Sequence, residues 1–463
     1  MTSSGHNIGS KKHIIAPPLS FDTPAGNIDI NVEAVKDAIM YINHSTGYDL
    51  QDRQIEEFIE ENTESKQLEY CGRSYIGWAY SLMEVLDKHY EVKRIANYNG
   101  RGSAEANPVY LDEKIRVRGG EEKVIKIPHR QCRFMNHRED GHPLVISFYP
   151  YDTYEIDCRL YFSTTSAFNH TAFMDEVTEH FKTEGIFKNA VINADYTFLK
   201  LPELTWDDIV LTKDQRGMLD RHALTFLKRL NKYKEVGMRT SRGLLLLGPP
   251  GTGKTLCCSI LINLCQDCTI VYVSRNAISE RGQIDEIYNL ARLLSPSLVV
   301  VEDIDTLGGL DREMGDHPLL GEFLNCLAGV ENNEGVITLA TTNYSNRLDQ
   351  ALADRPGRFD VRVNFKHPDP SARRLILEKY LDKCQTGGLN LRGLVKKTEG
   401  WSGAYLRELV NIAIMVSTDH DDVITQKILE EGFKELGDMR DAVAKERGQM
   451  RDTDEGVDSQ LYQ

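Results

Sequence analysis

The chain has 463 residues, of which 41% are hydrophobic and 27% charged, and its 70 acidic side chains outnumber 55 basic ones for a formal net charge of -15. At roughly 100–200 residues per domain, this length implies two to four domains, each large enough to bury a core. The acidic balance withholds the electrostatic term that dominates nucleic-acid affinity, so nucleic acid is not an expected partner.

In chain order, the opening MTSSGHNIGSKKH has no apolar core of the kind a secretory signal needs, and residues 1–30, with Pro17, Pro18 and Pro24, are expected to form a flexible tail. Residues 31–200 predict a mixed α+β domain. Apolar residues recur at helical spacing from Val32 to Ile42 and from Tyr75 to Ile95. Between Tyr110 and Phe162 the period shifts to two, in KVIKI, PLVISFY and YEIDCRLYF, and a further helix fits Ala172 to Phe181. The stretch from Lys93 to Arg138 is the only candidate for a basic patch that could override the acidic average, and Glu113, Glu121 and Glu122 are mixed into it. No catalytic motif occurs in this portion; its histidines and aromatics read as core or surface residues, and its expected role is to hold a protein client or partner.

From residue 201 the character changes. Short apolar runs, LLLLG (244–248), TIVYV (269–273), LVVV (298–301) and VITLA (336–340), alternate with helical periods, as a parallel sheet covered on both faces requires. This α/β domain is assigned to 201–368. Helices then continue, in ARRLILEKYL, AYLRELVNIAIMV and ITQKILEEGFKEL, through a helical lid at 369–448, before a polar tail at 449–463. The nine cysteines show no disulfide framework, which suits a reducing compartment; Cys265 and Cys268 have CxxC spacing but lack the further ligands of a zinc site. No run approaches the roughly 18 apolar residues of a membrane span, so a cytoplasmic protein without a membrane partner is expected.

Four clusters carry chemistry. Gly248-Pro249-Pro250-Gly251-Thr252-Gly253-Lys254-Thr255 satisfies GxxxxGK[ST], following an apolar strand and opening an apolar helix at Leu256. Its glycines let backbone N–H groups wrap phosphates, the helix N-terminus adds its positive end, Lys254 reaches the β/γ oxygens and the Thr255 hydroxyl ligates Mg2+. Next, LVVV runs into Glu302-Asp303-Ile304-Asp305, placing carboxylates at the C-terminal edge of the sheet. One would hold Mg2+ and the next polarise an attacking water. Then a strand ends in Thr341-Thr342-Asn343, whose amide can position that water. After it come Arg355 and Arg358, flanking Pro356-Gly357: a rigid pair suited to reaching a neighbouring subunit's nucleotide.

These marks, with LDQAL, RPGRFD and GWSGAYLRELV, resemble the AAA ATPases, over a little more than half of the chain. The resemblance implies a P-loop NTPase fold, Mg-dependent ATP hydrolysis and a homo-oligomeric ring of the hexameric kind. On that pattern Lys254 and Thr255 are phosphate-loop residues and Asn343 is the first sensor. Arg355 and Arg358 are the trans fingers, and Asp208, Ile209, Gly403 and Ala404 lie about the adenine and ribose. Arg407 is a candidate second sensor. The usual Asp-Glu order is reversed here, giving Glu302 the metal role and Asp303, one methylene shorter, the base role. The segment between Asn343 and Arg358 is a residue longer than usual, leaving open which arginine meets the γ-phosphate. VSRNAISERGQIDEIYNLA lacks the aromatic pore loop of unfoldases and passes into a helix with Ile284, Ile287, Tyr288 and Ala291 on its core face. A second pore loop could lie at Gly308 to Pro318. The shortened loop and the Glu-Asp order resemble the mitochondrial Rieske-protein translocase branch, though without a membrane anchor. Expected functions are therefore an ATP-driven remodeller of proteins or complexes, or a slow nucleotide-state switch that recruits a separate effector. With no HExxH or GxSxG motif, a protease within this chain is disfavoured.

Overall fold

The computed structural model describes residues 19–23, 26–30, 50–59, 67–98, 105–116, 122–150, 155–163, 168–200, 202–274, 277–278, 282–306, 318–328, 333–343, 359–418 and 422–440. Within the expected tail, β1 (Leu19–Thr23) and β2 (Gly26–Ile30) pair antiparallel, Leu19 opposite Ile30 and Phe21 opposite Ile28. Period-two alternation in both halves is enough for a hairpin, and it corrects the tail assignment there. The helix expected over 32–42 lies outside the described residues. Helix α1 (Leu50–Ile59) was not legible in the periodicity.

A seven-stranded antiparallel sheet follows. Its strands are β3 (Gln67–Tyr75), β4 (Tyr90–Tyr98), β5 (Glu105–Ala106), β6 (Val109–Arg116), β7 (Glu122–His137), β8 (Pro143–Pro150) and β9 (Glu155–Phe162), ordered β3-β9-β8-β7-β4-β5 with β6 on β7. Alternation along the strands sorts the faces. Phe134, Val145 and Tyr161 pair across β7, β8 and β9 and pack with Ile55 and Ile59 of α1. Their chain neighbours Met135, Leu144 and Phe162 pair likewise on the other face, under α2 (Ile76–His89) and α3 (His170–Thr183). The helical pattern expected from Tyr75 to Ile95 stops at His89. Beyond it YEVKRIANY is strand, because Tyr90 to Ala96 find a ladder on β7 and cross-sheet bonding outweighs a weak helical period.

The second sheet has six parallel strands in the order β10-β12-β13-β14-β11-β15. The four expected apolar runs are β11 (Arg242–Leu247), β12 (Thr269–Val273), β13 (Ser297–Val301) and β14 (Val336–Thr342). The edges are β10 (Val191–Asn193) and β15 (Val361–Asn364), both too short to betray themselves by alternation. Since β10 precedes residue 201, the sheet begins upstream of the boundary expected from composition. Leu245, Leu247, Val271, Val273, Val299 and Val301 face one core; Leu244, Leu246, Ile270, Leu298 and Val300 face the other. Burial on both faces explains why these strands read as unbroken apolar runs.

Helix α4 (Lys254–Leu264) covers the second face with Cys257, Cys258 and Leu261, while α5 (Gln283–Leu293) and α6 (Pro318–Ala328) cover the first. Ile284, Ile287, Tyr288 and Ala291 are buried as their spacing predicts, and the Tyr288 hydroxyl lies 2.7 Å from Thr338 Oγ1, so the aromatic ring is core. Cys265 and Cys268 are buried in the other core. The lid comprises α7 (Pro370–Leu381), α8 (Leu391–Lys397), α9 (Gly403–Ser417) and a helix over 426–440, closed on Leu377, Leu406, Leu409 and Leu429. A two-residue parallel pair, Gln385–Thr386 with Val423–Ile424, interrupts the expected all-helical lid. Among the described residues no helix is long and apolar enough to cross a membrane.

Candidate nucleotide site

In the parallel sheet β14 lies between β11 and β13, so the C-terminal ends of three strands meet at one edge. The glycine loop leaves β11, the acidic run leaves β13, and Asn343 follows β14. Gly248 carries φ +151° and its missing Cβ would overlap the Phe365 carbonyl, so no side chain fits where the loop turns off the strand. Beyond the loop, Lys254 opens α4 with 5% of its surface exposed. Its Nζ donates to the carbonyls of Gly248 (2.7 Å) and Pro249 (3.0 Å) and to Asn343 Oδ1 (2.9 Å). Burial lowers the pKa of this ammonium, and Asp303 and Asp305 oppose that shift.

Asn343 joins the three strand ends. Its Oδ1 accepts from Lys254 while its Nδ2 donates to Asp303 Oδ1 at 3.0 Å, so lysine, amide and carboxylate form one chain. Asp303 has φ +47°, held by its N–H donating to Thr341 Oγ1 at 2.9 Å. Asp and Asn adopt this left-handed region more readily than Glu, a local reason for the short acid at this position. Sequence reading assigned no role to Asp305. Its Oδ1 accepts from Thr342 Oγ1 (2.9 Å) and the Asn343 N–H (3.3 Å), tying the acidic run to the sensor strand. The acidic run itself was the available signal, but only the strand order reveals its partner.

Glu302 sits apart from the pocket lining, against the hydroxyls of Tyr272 and Thr255, and burial raises its carboxyl pKa. Its Oε1 and the Oδ2 of Asp305 are buried without a hydrogen-bond partner. The orphaned Glu302 oxygen, on a carboxylate that meets the Thr255 hydroxyl, is the kind of oxygen donor a hard divalent cation takes, so Thr255 and Glu302 fit Mg2+.

The pocket has a volume of about 350 Å³. It is lined by Pro250, Gly251, Thr252, Gly253, Lys254, Thr255 and Leu256 of the loop and α4, and by Asp303 and Asn343 from the neighbouring strand ends. Asp208, Ile209 and Val210 also line it, as do Ile376, Lys379, Tyr380, Gly403, Ala404 and Arg407 from the C-terminal helices. Gly248 and Pro249 do not line it and act through Lys254. The Thr205 backbone N–H holds Asp208's carboxyl below its usual range, and Lys379 Nζ stands 4.0 Å from Asp208 Oδ1. Ile376, Lys379 and Tyr380 were not legible beforehand, since nothing in a lid helix marks which turn meets the phosphate domain. Arg355, Arg358 and the segment 308–317 lie outside the described residues.

Lid and loop touch directly. The Ala404 N–H donates to the Gly251 carbonyl at 3.0 Å, and a Cβ on Gly251 (φ +75°) would stand 2.7 Å from Ser402 Oγ and 3.0 Å from Ala404 Cβ. Gly251→Ala is expected to weaken nucleotide binding by about tenfold, since roughly 1–2 kcal/mol of backbone strain adds to that collision. A fluorescent-nucleotide titration checks this; unchanged affinity would show that the loop and lid are not coupled at this contact.

A family model described as ATPase family associated with various cellular activities (AAA) matches residues 244–367. The ATP-dependent zinc metalloprotease YME1 homolog of Caenorhabditis elegans is 32% identical over 244 residues, 50% of this chain and 33% of the relative. Human ATP-dependent zinc metalloprotease YME1L1 is 33% identical over 244 residues, 50% of this chain and 31% of the relative. ATP-dependent zinc metalloprotease FtsH 3 of Sphaerobacter thermophilus is 33% identical over 250 residues, 51% of this chain and 50% of the relative. The chain thus spans between about a third and a half of the length of these relatives.

Proposed function

We propose that this chain, whose residues 244–367 match the AAA ATPase family model, binds ATP with Mg2+ and hydrolyses it to remodel a protein client or to assemble and disassemble complexes. The observation that carries this reading is the Lys254–Asn343–Asp303 chain lining a pocket roofed by the lid. Lys254 would exchange its loop carbonyls for phosphate oxygens and offset the negative charge that builds up during transfer. Asn343 would hold a water, and Asp303 would take its proton as the water oxygen bonds to the γ-phosphorus and the bond to the β–γ bridging oxygen breaks, giving ADP and phosphate. The bound Mg2+, held by Thr255 and Glu302, would neutralise phosphate charge. Loss of the γ-phosphate would be felt at Gly251, whose carbonyl is tied to Ala404, so turnover and lid position would be linked.

The subunits would act as a homo-oligomeric ring, with Arg355 and Arg358 completing the neighbour's site. The test mixes two inactive full-length variants, Lys254→Ala and Arg358→Ala (or Arg355→Ala), and follows phosphate release and ATP-dependent assembly by light scattering. Restored turnover is expected, because a sound arginine from the first variant meets a sound phosphate loop in the second. Wild-type protein that assembles without Mg-dependent phosphate release would overturn the hydrolytic reading; a mixture with no recovery would overturn the trans arrangement. A client bound in the ATP state and left unaltered after turnover would instead make the protein a platform for a separate effector.

A further inference from the structure

At one end of the antiparallel sheet, β7 finishes at His137 and β8 starts at Pro143. Between them the turn closes tightly. The His137 N–H donates to the His142 carbonyl at 2.9 Å and the Gly141 N–H to the His137 carbonyl at 3.0 Å, with Gly141 at φ +77°. This closure sets His137 and His142 side by side, their rings stacked 4.6 Å apart at 20°. Asp140 folds back from the turn so that its Oδ1 lies 2.7 Å from His137 Nδ1 and 2.6 Å from His142 Nδ1. From β4, Tyr90 Oη reaches His142 Nε2 at 2.8 Å. Among the described residues no other three metal-ligating side chains bring their donor atoms within 4.8 Å of one another.

We propose that His137, Asp140 and His142 form a binding site for a divalent transition-metal ion of the zinc type. Two imidazole nitrogens and a carboxylate oxygen suit zinc, and three protein ligands leave a fourth position for water. The imidazoles are preorganised, their side chains being 20% and 13% exposed, while the Asp140 side chain, at 47%, faces solvent and gives the ion an entry. Tyr90, itself 3% exposed, holds the outer nitrogen of His142 and so leaves Nδ1 turned inward, as the second partner of a ligating histidine does. Donor atoms of a tetrahedral zinc stand roughly 3.3 Å apart, so the ion displaces the Asp140 carboxylate by about half an ångström, a shift an exposed turn allows. The competing occupant is the proton, with Asp140 accepting from both rings. The site lies on a different sheet from the phosphate loop, outside residues 244–367, and its spacing is not HExxH. An ion there would clamp the β7–β8 hairpin.

The full chain, stripped of metal and freed of chelator, is titrated with zinc chloride alone against a chromophoric chelator, and with cobalt chloride alone by visible absorption. One equivalent is expected, with the cobalt bands of a tetrahedral N/O site. His137→Gln and Asp140→Asn should each weaken uptake by roughly tenfold or more, and Tyr90→Phe by about 10–100-fold although it removes no ligand. Zinc should raise the melting temperature of the wild type and not of Asp140→Asn, a folded control at an exposed position. No stoichiometric uptake, or uptake equal in wild type and all three variants, overturns the site and leaves a hydrogen-bonded triad that only closes the turn. Neither outcome bears on the nucleotide reading.

Discussion

Lys254→Ala is expected to weaken ATP binding by 10²-fold or more, measured by equilibrium titration with a fluorescent analogue. Hydrogen bonds to a charged group contribute about 1.5–3 kcal/mol each, and two phosphate contacts together account for at least this loss. The structure adds a second reason. Lys254 Nζ is the only described donor to Asn343 Oδ1, and it reaches the Gly248 and Pro249 carbonyls, so its removal releases both the loop and the amide. The variant should still fold, because the lysine tip faces the pocket while α4 is held by Cys257, Cys258 and Leu261. Affinity within a factor of about two of wild type, well under 1 kcal/mol, would remove the phosphate-loop assignment.

Asp303→Asn should separate binding from chemistry. The amide oxygen can still accept from Asn343 Nδ2, and Asn tolerates φ +47° as readily as Asp, so ATP affinity should hold. Without a base, turnover should fall by about 10²–10⁴-fold. Phosphate release measured at saturating ATP checks this, alongside nucleotide binding on the same preparation. A rate close to wild type would move the base elsewhere, and Glu302 is poorly placed to take over, being buried against Tyr272 and Thr255. A pull-down with the same ATP-holding variant would test the proposal of a protein client.

What local chemistry dictates was legible in the residues themselves. Runs such as LLLLG and LVVV must be strands buried on both faces, a glycine-rich turn between strand and helix must wrap an anion, and carboxylates after a buried strand must sit at its exit. Each follows from a repeat of two to four residues or from backbone freedom at a glycine, and needs no knowledge of the rest of the chain. Hence Lys254, Thr255, Asp303 and Asn343 could be named in advance from the residues, and Asp208, Ile209, Gly403 and Ala404 from the resemblance to the AAA ATPases; all of them line the pocket.

Adjacency is another matter, because pairing between strands is a contest among alternatives that periodicity does not rank. Only the tertiary structure placed β14 between β11 and β13, which turns three separate motifs into the Lys254–Asn343–Asp303 chain and gives Asp305 its anchoring role. Tertiary pairing also made a strand of Tyr90–Tyr98 and drew Val191–Asn193 into the parallel sheet across a boundary that composition set later. The same holds for the lid residues Ile376, Lys379 and Tyr380, and for His137 and His142, which become neighbours only when the hairpin closes in register. Sequence determined the four central strands of the parallel sheet and their reactive tips; long-range packing free energy, summed over the whole sheet, decided the edge strands and which tips meet.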